Sequence, residues 1–238
     1  IHMPMLVLAG GFGTRLRSVV PDMPKPLAPV QNKPFLFYLL NNWINQGVRE
    51  FIFLLHYEAD QIIRFLESNE FKKLIPDLQI SYIVEPVPLG TGGAVKSALE
   101  QYSIDGPFLV ANADTWLGTG VQTLIASPSP SIVTVAVSNV SRYGEVRTND
   151  GVVESFAEKC QTYKNGQVNA GMYLLSADPF LETIETTFSI ETAILPKLIA
   201  AKKLRATPLD CNFIDIGIPE DYHNFCNWVK SCRTPILM

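Results

Sequence analysis

Apolar residues recur along the chain in two alternating rhythms. Met5-Leu-Val-Leu-Ala9 is a short unbroken apolar run that ends at Gly10-Gly11, as a buried strand entering a glycine turn does. Over residues 34–46 the apolar positions Phe35, Leu36, Leu39, Leu40, Trp43 and Ile44 form one stripe of helical period, and Gly47 supplies a stop. Phe51–Leu55 is a second buried strand, and residues 58–67 return to helix through Ala59, Ile62, Ile63 and Leu66. Ile80–Val84 reads as a third strand, Thr91–Leu99 as a helix behind a glycine-rich turn, and Phe108–Ala111 as a fourth strand. Strands of this kind, apolar on both faces and separated by helices, predict an α/β protein with a mainly parallel sheet between helical layers. Ligands of such sheets sit at the carboxyl ends of the strands, where Gly10, Glu85 and Asn112 fall.

The rhythm changes in the second half. Ile132–Val137, Gly144–Arg147 and Val168–Leu175 read as strands without long helices between them, so the sheet is expected to become mixed there. Ser189 can cap a helix from Ile190, with Pro196 kinking or restarting it. Pro219 stands at a favourable first helical position, followed by Glu220 and Asp221 and an inward stripe of Tyr222, Phe225, Cys226 and Val229. Ser127–Ser131 is a polar turn too short for a domain linker, and no repeat is found. A single domain over 3–233 is expected, with Ile1 and His2 read as an expression remnant ahead of a natural start at Met3 or Met5.

With 238 residues, 47% hydrophobic and 18% charged, the chain can bury a large core without disulfides or metal staples. The net charge of −4 removes the broad basic footprint of a nucleic-acid binder. No run of 18 apolar residues predicts a membrane span, and no secretory pattern opens the chain. Cys160, Cys211, Cys226 and Cys232 form no CxxC pair, which fits reduced thiols and a cytoplasmic location.

Against that acidic background, Leu8-Ala-Gly-Gly-Phe-Gly-Thr-Arg15 followed by Pro24-Lys-Pro-Leu27 stands out. Glycines 10, 11 and 13 let the backbone turn tightly and offer N–H groups to an anion. Arg15 brings a fork matched to phosphate oxygens, and prolines on both sides of Lys25 stiffen its approach. The string reads as a polyphosphate cradle. It is not a P-loop, because no GxxxxGK[ST] is present, and Leu16 stands where a dinucleotide fingerprint needs a third small residue. A plain glycine turn with solvated charges would explain two of the glycines but not the whole string.

These segments resemble the signature of the sugar-1-phosphate nucleotidyltransferases. The resemblance runs on through Glu85-Pro-Val-Pro-Leu-Gly-Thr-Gly-Gly-Ala94, Asn112-Ala-Asp114, Phe156-Ala-Glu-Lys159, Asn169-Ala-Gly171 and Asp215–Tyr222, nearly the whole chain. The stretch Arg17–Val30, with Tyr143–Val146 and the Asn169 segment, is most similar to the subgroup of D-glycero-D-manno-heptose 1-phosphate guanylyltransferases. The resemblance implies a Rossmann-like three-layer nucleotidyltransferase fold. It implies transfer of a nucleotidyl group from an NTP, GTP favoured, to a sugar 1-phosphate, with Mg2+ as cofactor and pyrophosphate released.

By the same resemblance, Leu8, Ala9, Gly10, Gly11, Gly13, Thr14, Arg15, Lys25, Glu85, Gly90, Thr91 and Asn112 bind nucleotide. Asp114 and Asp215 hold the metal, and Gly144, Glu158, Lys159 and Asn169 bind the sugar phosphate. Arg15 and Lys25 would stabilise leaving pyrophosphate while Lys159 aims the attacking phosphate. The residues by themselves leave Asp114 and Asp215 open between metal ligation and capping or turn formation. Glu85 can accept two parallel hydrogen bonds from guanine, a pairing uracil and thymine cannot offer, or it can be a surface charge at a strand end. Two departures from the family pattern are Ala113, where glycine is usual, and Cys160, where proline often follows the lysine. They keep open a silent nucleotide-sugar sensor beside the enzyme; mannose 1-phosphate or a pyrimidine nucleotide are the other substrate readings. His56 and His223 have no partner pattern and are expected to be structural or on the surface. Self-association is left open.

Overall fold

A computed structural model of the chain describes residues 3–72, 77–157 and 164–232. In chain order the strands are β1 (Met5–Leu8), β2 (Pro29–Val30), β3 (Lys33–Pro34), β4 (Glu50–Leu55), β5 (Gln79–Val84), β6 (Phe108–Asn112) and β7 (Thr115–Leu117). They continue as β8 (Ser131–Val137), β9 (Glu145–Asn149), β10 (Val152–Ala157), β11 (Gly166–Leu175), β12 (Arg205–Leu209) and β13 (Phe213–Asp215). The helices are α1 (Phe35–Asn45), α2 (Ala59–Leu66), α3 (Asn69–Lys72), α4 (Gly90–Tyr102), α5 (Val121–Ile125), α6 (Asp178–Leu181), α7 (Leu195–Ala200) and α8 (Pro219–Ser231). Where the sequence suggests one domain over 3–233, contacts group the chain into two compact units. One holds Ile1–Pro88, Asn112–Gly118 and Phe213–Met238, the other Leu89–Ala111 and Thr119–Asn212.

The first unit is the strand–helix alternation that periodicity predicts. β1, β4 and β5 pair in parallel, with Met5 opposite Phe51 and Phe51 opposite Ile80. β1 and β4 are almost wholly apolar because both faces of this sheet are covered: Met5, Leu6, Val7 and Phe51–Leu55 are all buried. Ring contacts tie the remaining elements together. Phe225 of α8 meets Phe35 of α1 edge-on at 4.8 Å between centroids and Trp116 of β7 at 5.4 Å. Trp116 also meets Trp228 at 5.2 Å. The tyrosine at the start of α8 adds a polar tie, since the Tyr222 hydroxyl donates to the Pro29 carbonyl. The inward stripe of α8 is narrower than expected: Tyr222 and Phe225 are buried, whereas Cys226 is only partly covered.

The second unit departs further from a parallel sheet. Its strand order is β6-β11-β8-β12-β10-β9. β11 runs antiparallel to both β6 and β8, whereas β12 pairs in parallel with β8. The long strand β11 slips register between Asn169 and Tyr173 against β8, with Gly171 at φ +72° inside the slip. Ser189 caps as expected, accepting from the Thr192 N–H at 3.1 Å. What it caps is a π-helical turn, Ile190–Ile194, which α7 then continues. Pro196 explains the widened turn. It has no N–H to offer the carbonyl four residues back, and its ring would crowd an ordinary α turn there.

Candidate active site

The glycine loop after β1 is built by one buried anchor and two close approaches. β1 ends at Leu8, and the Ala9 N–H donates to the Leu54 carbonyl at 3.0 Å. Gly13 takes φ +59°, and a Cβ there would stand 3.3 Å from the Lys25 Cβ. A Cβ on Gly10 would meet the His56 Cβ at 3.3 Å. Gly11 has nothing within 4 Å of such a Cβ, so the fold itself does not demand a glycine there. Leu16 is buried at the end of the 3-10 turn Thr14–Leu16 and holds it down, leaving Thr14 and Arg15 exposed.

Lys25 opens a second 3-10 turn, Lys25–Leu27, between Pro24 and the buried Pro26. Its ammonium reaches Asp114 Oδ2 at 2.8 Å, and its side chain is 13% exposed. Asp114 follows Ala113, whose N–H donates to the Leu8 carbonyl at 3.0 Å. Ala113 is 1% exposed, so its extra methyl is buried inside the protein and does not face a ligand.

Asp114 and Asp215 are a hundred residues apart and are brought together by a ribbon. β7 and β13 pair antiparallel with Thr115 opposite Asp215, and the Ile216 N–H donates to the Asp114 carbonyl at 3.0 Å. The Asp215 carboxylate accepts from the Gly217 N–H at 2.7 Å. A Cβ on Gly217 would stand 2.8 Å from Asp215 Oδ1 and 3.5 Å from the Arg15 guanidinium. Burial, and then the negative charge of Asp114, push the Asp215 carboxyl above the usual carboxylate range. The Gly217 N–H, Lys25 and Arg15 pull it back down. Arg15, Lys25, Asp114 and Asp215 thus form one electrostatic cluster. Two repelling carboxylates, both oxygen donors, suit a hard divalent cation that keeps some of its waters. Among the described residues no group of three or more His, Cys, Asp and Glu side chains could hold a metal.

Glu85 is not a solvated surface charge, being 8% exposed. Its N–H donates to the Leu55 carbonyl at 2.8 Å, and His56 Nδ1–H donates to its carbonyl at 2.8 Å. His56 has the structural role expected of it, and its partners are ones the sequence does not name. It touches Gly10, holds the Glu85 backbone, and meets the Phe12 ring edge-on at 5.5 Å. Its position directly after a strand, at a sheet carboxyl end, was the available signal.

In the second unit, the glycines of residues 90–93 are explained by the chain itself. A Cβ on Gly90 would come within 2.5 Å of the Phe188 carbonyl, on Gly92 within 2.3 Å of the Phe188 ring, and on Gly93 within 2.3 Å of the Thr186 carbonyl. The Thr91 hydroxyl is engaged too, accepting from the Ile190 N–H at 2.8 Å and donating to Glu191 at 3.0 Å. Gly144 is forced by the Phe156 ring, 2.5 Å from where its Cβ would be. Asn169 donates to the Tyr173 hydroxyl at 2.8 Å. Glu158, Lys159 and Cys160 lie outside the described residues.

A family model described as nucleotidyl transferase matches residues 5–230. The chain belongs to that family. It is 36% identical, over 94% of its length and 98% of the relative's, to D-glycero-alpha-D-manno-heptose 1-phosphate guanylyltransferase of Campylobacter jejuni. It is 35% identical to mannose-1-phosphate guanylyltransferase 1 of Arabidopsis thaliana, over 92% of this chain and 63% of that protein. Among solved structures, HddC of Yersinia pseudotuberculosis complexed with GMP-PN superposes with a TM-score of 0.81 at 35% identity, covering 95% of this chain and 99% of the other. The α/β reading of the sequence and the family resemblance are both borne out.

Proposed function

We propose that the protein is a guanylyltransferase that joins GTP and a sugar 1-phosphate into a nucleotide-sugar, with D-glycero-alpha-D-manno-heptose 1-phosphate as the acceptor. The observation that carries this reading is the convergence of Arg15, Lys25, Asp114 and Asp215, from three separate stretches of chain, onto one ribbon and loop. The 36% identity to a heptose 1-phosphate guanylyltransferase supports the choice of acceptor.

In this reading an oxygen of the sugar phosphate attacks the α-phosphorus of GTP in line. A new P–O bond forms, the bond to the β-phosphate breaks, and pyrophosphate leaves with the electron pair. No protein nucleophile is needed, so the work is positioning and charge neutralisation. Arg15 and Lys25 neutralise the departing pyrophosphate. Asp114 and Asp215 are the side chains that would hold Mg2+, which supplies Lewis-acid polarisation and a template for the phosphates. Loop glycines 10, 11 and 13, with Thr14, offer backbone N–H groups to the phosphates, while Leu8, Ala9, Gly90, Thr91 and Asn112 line the nucleoside. Glu85 accepts from guanine N1–H and the exocyclic amine. Lys159 aims the attacking phosphate, and Glu158, Gly144 and Asn169 contact the sugar. The reaction draws on the cytoplasmic nucleotide pool. No helix among the described residues is long and apolar enough to cross a membrane.

Mannose 1-phosphate is the second acceptor to consider, on the 35% identity to the Arabidopsis enzyme. Pyrophosphate release with Mg2+, crossing four NTPs against heptose, mannose and glucose 1-phosphates, decides. Release with GTP and the heptose phosphate is expected. Release with a pyrimidine nucleotide instead would overturn the role given to Glu85, and no release from any pair would overturn the enzymatic reading.

A further inference from the structure

Four side chains of the second unit form a hydrogen-bonded chain in which every donor and acceptor is determined. Thr91 opens it at the start of α4. Its oxygen already accepts from the Ile190 N–H at 2.8 Å, so its hydroxyl hydrogen points to Glu191 Oε2 at 3.0 Å. The Tyr173 hydroxyl stands 3.2 Å from Glu191 Oε1 and 2.8 Å from Asn169 Nδ2. A carboxylate only accepts, so Tyr173 donates to Glu191 and must accept from Asn169. The other side of the amide agrees, because the Gly171 N–H donates to Asn169 Oδ1 at 3.0 Å. A flipped amide would set its NH2 against the Gly171 N–H and would ask the single Tyr173 hydrogen to serve two acceptors.

The setting strengthens the chain. Tyr173 is 1% exposed, on β11 next to its register slip. Burial and the neighbouring Glu191 charge raise its hydroxyl far above the ordinary tyrosine range, so it stays protonated. Glu191 sits in the π-helical turn Ile190–Ile194, with its two carboxylate oxygens on the Thr91 and Tyr173 hydroxyls.

We infer that Glu191, acting through the Tyr173 hydroxyl, is the positioning residue that locks Asn169 in one amide orientation for the sugar phosphate. The inference rests on the reading of Asn169 as a sugar contact. It adds two residues: Tyr173, which touches neither substrate in that reading, and Glu191, which holds Tyr173 and also the nucleoside-lining Thr91. With the amide locked, the second Nδ2 hydrogen and the second lone pair of Oδ1 are presented to a ligand in a fixed pattern. A sugar hydroxyl pair matching that pattern is favoured over one that does not.

Tyr173→Phe removes one oxygen and keeps the buried ring. Steady-state kinetics with GTP, Mg2+ and the preferred sugar 1-phosphate should show KM for the sugar phosphate raised about tenfold, with KM for GTP within about twofold of wild type. Glu191→Ala removes both acceptors and should move the same constant in the same direction, while any change in KM for GTP confined to that variant reports its other contact, to Thr91. In an Asn169→Ala background, Tyr173→Phe should change nothing further, because the residue it acts through is gone. An equal loss in both backgrounds, or an equal rise in both KM values, would overturn the inference and leave Tyr173 and Glu191 as fold determinants only. A wild-type protein that turns over no sugar phosphate would overturn the proposed function instead, and the assignment of Asn169 with it.

Discussion

At the residue scale the cluster makes separable demands on each side chain. Lys25 is the most constrained. Its stem packs under Gly13 and its ammonium pairs with Asp114 at 2.8 Å. Lys25→Ala leaves Asp114 without its ion pair and, in the proposed reaction, removes the charge assigned to the leaving pyrophosphate. Turnover is expected to fall about a hundredfold or more, the scale of a lost preorganised charge, with little change in KM for the sugar phosphate. A rise in that KM with turnover preserved would reverse the role. Glu85 supports a second prediction. As a nearly buried carboxylate it should read guanine by two accepted hydrogen bonds, so Glu85→Gln should cut kcat/KM for GTP about a hundredfold or more. The same change should leave UTP no worse, and parallel losses for GTP and UTP would mean that Glu85 does not face the base. Sequence motifs made Arg15, Lys25, Asp114, Asp215 and Glu85 legible, since each stands in a dense string of special residues. The partners of His56 were not legible, because its work is done through a backbone carbonyl and a ring edge, which leave no spacing pattern.

At the scale of elements, long periodic segments were read almost to the residue. The stripe over residues 34–46 is α1, and the proline start at Pro219 is α8. What periodicity could not give is the ribbon of β7 and β13, two strands of three residues each. Runs so short carry no period, and only their pairing explains why Asp114 and Asp215 meet. The glycines of residues 90–93 illustrate a related limit. A glycine string announces a close approach but not what approaches, and the fold needs these glycines for Thr186 and Phe188 of the same chain. The ribbon is held by aromatic rings, which makes it testable from a distance. Phe225 is fully buried between Phe35, Tyr38, Trp116 and Trp228. Phe225→Ala should cost about 3–5 kcal/mol in denaturant unfolding. If the proposed function holds, it should also lower turnover in protein that remains folded, because Trp116 loses the ring that seats β7 where Asp114 and Asp215 come together. Full stability with full activity would mean that the ribbon is held by its backbone ladder alone.

For the whole molecule, the sequence carries the order of elements more clearly than their grouping. The chain passes between its two units four times, at residues 88, 111, 118 and 212. Pro86, Pro88 and Gly90 surround the first of those points and Gly118 and Gly120 the third, but such short strings read as turns and not as linkers. The segments that return to the first unit are recognisable only by what they join: residues 112–118 and the C-terminal stretch bring in the ribbon and α8. That last closure has a pH signature. The Tyr222 hydroxyl, on α8, donates to the Pro29 carbonyl of β2, and burial first, then the Cys226 thiol, push it up to about 12. An unfolded tyrosine ionises near 10. Between about pH 10 and 12 the folded state therefore keeps a proton that the unfolded state has lost. Stability from this contact is fully present below about pH 10 and drains away as pH rises toward 12. Tyr222→Phe should be less stable than wild type by about 1 kcal/mol at pH 8, the worth of the hydrogen bond. The difference should shrink through zero and reverse between about pH 10 and 12, because ionising the buried hydroxyl costs wild type more than the hydrogen bond contributes and the variant has no hydroxyl to ionise. Urea unfolding of both proteins at several pH values across that range measures it. A gap that stays constant to pH 12 would mean that the hydroxyl is not held in the folded state, and that the rings of α8 do the closing without it.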